Sequence, residues 1–123
     1  MNWSAIGATL LGIAVLVGAF GAHALRERLD AYATGIYERA VFYHFVHALG
    51  LLALGAALAG GAVAATPAAA SGWLLLTGTI VFCGSLYALA LSGVRALGAI
   101  TPLGGVALVA GWFIFAYGLV AGK

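Results

Sequence analysis

Few residues of this chain have side chains that could do chemistry. The candidates are the histidines His23, His44 and His47 and, among the hydroxyl-bearing residues, Tyr43, Ser85, Tyr87 and Thr101. His44 and His47 are three apart, which puts two imidazoles on adjacent turns of a helix. Positions 40, 43, 44 and 47 then share one helical face. Such a pair could ligate a metal or haem, with His23 as a third ligand. A metal site wants three or four ligands with supporting partners, and only the weak candidate Cys83 could complete one. A second chemistry is a proton relay or transport path, because ionisable groups inside a membrane are functional candidates by default. The third reading carries the most weight. It is a polar cluster that hydrogen-bonds helices together, with or without a lipid or quinone head group.

Charged residues concentrate elsewhere. Arg26, Glu27, Arg28, Asp30, Glu38 and Arg39 lie close together. They read as interfacial, snorkelling or mutually paired charges rather than catalytic carboxylates. There is no nucleophile–base spacing, phosphate loop or paired-carboxylate motif. The sequence therefore assigns no enzyme activity, catalytic residue, metal or cofactor.

The elements that must position these side chains follow from composition. Of 123 residues, 65% are hydrophobic and 7% are charged, with five Lys+Arg and three Asp+Glu. Soluble domains carry about 25% charged residues, so a water-soluble fold is excluded. Disorder is excluded for the same reason, and five scattered cations make no nucleic-acid-binding face. The single cysteine forbids an internal disulfide. Ala22-His23-Ala24 resembles a signal-peptidase site, but no Lys or Arg precedes Arg26. The apolar run also exceeds the 7–15 residues of a signal core, so a retained helix is expected.

A membrane-spanning helix needs about 20 apolar residues. Four segments qualify, at about 3–25, 38–59, 71–92 and 101–121. The expected fold is all-α, a single-domain integral membrane four-helix bundle. Gly60-Gly61 and Pro67 punctuate the second connection. Ser92-Gly93 and Gly98 bracket the third. Ser71 is placed to cap the third helix, and Thr101-Pro102 reads as an N-cap with proline at the first helical position. In the first connection, Leu25, Leu29, Tyr32 and Ile36 recur at helical spacing between charges. That pattern predicts a short interfacial helix over 26–36, ended by Gly35.

Small-xxx-small patterns, such as Ala14-xxx-Gly18-xxx-Ala22 and Gly84-xxx-Ala88, predict close helix packing. The lipid bilayer is the expected partner, with a second copy or another membrane subunit as candidates. Arg26, Arg28, Arg39 and Arg95 fall on one side of the bundle, against Lys123 on the other. The positive-inside rule then expects cytoplasmic arginine loops, with both termini outside the bacterial inner membrane. Trp3 and Trp73 fit an outer aromatic belt, and Trp112 is expected to pack inward. His23, Tyr43, His44, His47, Ser85, Tyr87 and Thr101 all fall in the arginine-side leaflet. His47 lies roughly 14 Å into its helix and Ser85 roughly 10 Å from the end of its own.

Four stretches carry a resemblance. They are Gly18–Leu25 (GAFGAHAL), Tyr43 with His47-Ala48-Leu49, Gly84-Ser85-Leu86-Tyr87, and Ile100–Gly105 (ITPLGG) with Gly111-Trp112. In this order the chain resembles the small membrane proteins of the domain of unknown function 423 family, related to transmembrane protein 256 of animals. The resemblance implies a four-helix inner-membrane protein and supplies no reaction. His44 stands where the family pattern commonly has glutamine, which moves weight onto His23 and His47.

Overall fold

The computed structural model describes all residues, Met1–Lys123. Four long helices run α1 Trp3–His23, α2 Ala31–Ala59, α3 Ala65–Ser92 and α4 Thr101–Ala121, and each is long and apolar enough to span a membrane. They pack in chain order, α1 on α2, α2 on α3 and α3 on α4, as an up-down bundle without strands.

The first connection departs from expectation: no separate interfacial helix forms over 26–36. Ala24–Leu29 makes turns closed by the Arg28 and Leu29 amides on the Leu25 carbonyl, at 3.0 and 3.1 Å. Asp30 then adopts an extended backbone and its side chain accepts from the Ala33 amide at 2.8 Å, which starts α2. Tyr32 and Ile36 thus belong to the opening turns of α2, which begins at Ala31 rather than 38. Gly35 does not end a helix, because its φ is not positive and a mid-helix glycine costs only about 1 kcal/mol. Of the apolar residues that suggested an interfacial helix, Leu25 and Ile36 plug this end of the bundle, Leu29 packs against them, and Tyr32 is exposed. Leu25, Ile36 and Tyr37 are buried with Ala40, Leu86, Leu89 and Ala90.

α3 also starts early, at Ala65 rather than 71, with Pro67 tolerated in its first turn. Ser71 is therefore not a cap. It is fully buried in mid-helix and donates to the Gly111 carbonyl of α4 at 2.9 Å. Thr101 is not a side-chain cap either: Ile100 occupies that position without a side-chain bond. The second connection turns through Gly61, φ +76°, and the third through Gly93, φ +73°, then a short 3-10 segment at Arg95–Ala99. A left-handed residue there favours glycine.

A second apolar cluster, Trp3, Leu51, Leu54, Val63, Ala68, Leu75, Leu108 and Phe115, fills the end that holds the termini. Trp3 is not a belt residue. It is 2% exposed, because Gly72 leaves a slot for its indole, and its ring meets Trp73 edge-on at 5.5 Å. Trp73 itself is exposed. Along α2, His44 and His47 fall between Ala40 of one cluster and Leu51 of the other, so the polar side chains form a layer between two apolar ones.

Candidate functional site

The polar layer is not one cluster. His44 is 5% exposed, and its Nδ1 lies 3.0 Å from the Tyr87 hydroxyl of α3. The ring also lies against the Leu10 backbone of α1. Its Nε2 is sealed from the surface and makes no hydrogen bond of good geometry. The Tyr87 ring meets Tyr37 edge-on at 5.3 Å, and the Tyr37 hydroxyl donates to the Val17 carbonyl at 2.5 Å. This chain of contacts ties α1, α2 and α3 together.

His47, also 5% exposed, turns the other way. Its Nδ1 lies 2.7 Å from the Tyr43 carbonyl. A carbonyl only accepts, so Nδ1 carries the proton and Nε2 of the neutral ring is left as an acceptor. The Tyr43 ring stacks on His47 at 13° and on Phe82 with centroids 4.5 Å apart. Trp112 of α4 stands on the other side of His47, centroids 5.8 Å apart, with its ring edge over Gly50. Together with Pro102, these side chains line a lateral groove of about 400 Å³ between α2, α3 and α4.

Ser85 and Thr101 form a third pair, oxygens 2.6 Å apart. Ser85 donates to the Phe82 carbonyl at 3.0 Å, so its one proton is used and Thr101 donates to it. This bond pins the start of α4 to α3 beside the His47 groove.

His23 joins none of these. It is exposed at the end of α1 and lines a shallow surface groove with Arg26, Glu27 and Arg28. No group of three or more His, Cys, Asp or Glu side chains converges anywhere, and Cys83 is buried and free. Among the charges, Asp30 caps α2, and Arg95 sits over the Tyr32 ring at 4.4 Å. Arg26 and Glu38 line one groove of about 360 Å³ between the end of α1 and the start of α2, with Thr34, Tyr37, Leu25 and Val41. Arg39 is exposed on α2.

Sequence reasoning did not assign Phe82 or Pro102 to the site, because neither carries a polar group. Trp112, expected to pack inward, does so only in part: its ring edge covers Gly50, but the residue is 37% exposed along the groove. The two grooves offer a bound molecule apolar walls, an isolated acceptor and a charged rim.

Known relatives agree with this picture of a small membrane protein. A UPF0382 membrane protein of Staphylococcus saprophyticus is 42% identical over 92% of each chain. One from Staphylococcus epidermidis is 47% identical over 89% of this chain and 87% of its own length. The UPF0382 membrane protein YwdK of Bacillus subtilis is 40% identical over 89% of this chain and 88% of its own length. No solved structure matches. The family model described as protein of unknown function (DUF423) matches residues 17–105, and the chain belongs to that family of membrane proteins.

Proposed function

We propose that the protein is a non-enzymatic, multi-pass protein of the bacterial inner membrane that binds a phospholipid at its arginine-bearing end. The observation that supports this is the groove between α1 and α2. Its floor is apolar, and its rim carries one cation, Arg26, one anion, Glu38, and the Thr34 hydroxyl. An acyl chain fits the floor. A lipid phosphate matches Arg26, and an ammonium head group matches Glu38. The arginine count supports placing this end in the cytoplasm, with both termini outside. The face of α1 turned away from α2, with Leu16 and Phe20 exposed, is open to lipid, a second copy or another subunit.

A transport path through His23 and His47 gains no support, since the two side chains belong to different surroundings. Native mass spectrometry of the full chain with added lipids tests the proposal. Phosphatidylethanolamine should be retained over phosphatidylglycerol; Glu38→Gln should remove that preference, and Arg26→Ala should weaken retention of both lipids. Equal retention of both lipids, unchanged by either variant, would refute it.

A further inference from the structure

We infer that the lateral groove beside His47 binds a lipophilic quinol, a planar ring bearing phenolic hydroxyls, in preference to the matching quinone. The inference is independent of the phospholipid reading, which concerns a different groove.

Depth excludes a phospholipid head group as the occupant. Glu38 and Arg39 mark where α2 leaves the polar interface, and His47 stands nine residues beyond Glu38. That is about 13 Å along the helix, near the middle of a hydrocarbon layer of about 30 Å. Phospholipid head groups stay at the interface. A ring on an alkyl or isoprenoid tail enters the core.

Chemistry selects the hydroxyl. With its Nδ1 proton held by the Tyr43 carbonyl, His47 presents a bare Nε2 lone pair to the groove it lines. Water is scarce at this depth, and an acceptor without a partner costs free energy. A phenolic O–H supplies the missing proton. A quinone carbonyl brings only lone pairs and meets the acceptor lone pair to lone pair. An acyl chain brings nothing polar.

Shape selects the ring. The stacked Tyr43 and Phe82 form one wall and Trp112, itself stacked on Phe115 at 3°, forms the other. A flat ring laid along these aromatic edges beside His47 makes offset or edge contacts with them. The volume of about 400 Å³ falls in the range usual for small-molecule sites. Val106 and Val109 continue the groove with an apolar surface suited to a tail.

The test uses the full chain in phosphatidylcholine nanodiscs. Decyl-benzoquinol, kept reduced without oxygen, its quinone and its dimethyl ether are each titrated. Retention is quantified chromatographically over empty discs. The quinol should saturate near one per chain and bind about five- to tenfold tighter than the quinone or ether, the worth of one neutral hydrogen bond. His47→Phe keeps an aromatic ring and removes the acceptor, so it should abolish the preference, while Arg26→Ala should leave it intact. Equal retention of all three compounds by the unaltered chain, or no excess over empty discs, overturns the inference whether or not the variant folds. Loss of quinol on Arg26→Ala would move the site to the rim and overturn it equally.

Discussion

The bond between His44 and Tyr87 carries more than its own strength, because both partners sit away from water and the other His44 nitrogen makes no hydrogen bond of good geometry. Removing the hydroxyl strands the second nitrogen as well. Tyr87→Phe should therefore lower stability by about 1–3 kcal/mol, the cost of a buried polar group without a partner. Replacing both residues, as His44→Leu with Tyr87→Phe, should recover most of that loss. Thermal unfolding in detergent, run as a double-mutant cycle, measures this. Additive losses would show that the two side chains do not depend on each other. The sequence made this pair of histidines visible, but not their divergence. Residues three apart on a helix differ by about 60° in direction. Here that angle separates a contact with α1 and α3 from a groove beside α4. His23 was legible as a residue near the end of its helix. Its exposure was not, since that depends on α1 packing mainly against α2, with no helix covering His23.

Close approach between helices rests on individual glycines rather than on every small-xxx-small pattern. A Cβ on Gly104 would meet the Phe82 amide nitrogen at 2.5 Å and the Gly78 carbonyl at 2.9 Å. Both are backbone atoms, so α3 and α4 would have to separate. Gly104→Ala should cost about 1–3 kcal/mol. Gly84 belongs to a pattern that reads as an interface, yet a Cβ there meets nothing within 4 Å. Gly84→Ala should be neutral or slightly stabilising, by up to about 1 kcal/mol, through helix propensity. Unfolding midpoints of the two variants compare them directly, and equal effects would contradict this account. Ser71 gives a third case: Ser71→Ala removes the bond to the Gly111 carbonyl and should cost about 0.6–1.5 kcal/mol. The four spans were legible because hydropathy reports what lies in lipid. The starts of α2 and α3 were not, because those helices extend past the apolar core. At about 1.5 Å per residue, the 29 residues of α2 reach well beyond a layer of about 30 Å. Asp30 was read as one interfacial charge among several, and its role as a cap appears only when the backbone turns beside it.

At the scale of the whole molecule, charge and packing divide the bundle into two unlike ends. The arginine end holds the turn at 24–29, the rim groove and Arg95 of the third connection, which rests on Tyr32 at the start of α2. The other end holds both termini, and the space a Cβ on Gly61 would fill lies 3.4 Å from the Lys123 ammonium. The proposed orientation rests on cations in short connections, which the positive-inside rule weights above net charge. Alkaline phosphatase fused after Lys123 should therefore be active, and a fluorescent protein fused there should be dark. Moving the cations should move the protein. Arg26→Ala, Arg28→Ala and Arg95→Ala, combined with Ala62→Lys and Ala64→Lys in the second connection, leave Arg39 opposed by two new lysines and Lys123. A substantial inverted population should follow, read as fluorescence from the C-terminal fusion and a matching fall in phosphatase activity. A bright fluorescent fusion on the unaltered chain would reverse the proposed orientation. An unchanged phosphatase signal after the cations are moved would mean that the asymmetry between the two ends of the fold, and not the arginines, sets which way the bundle inserts.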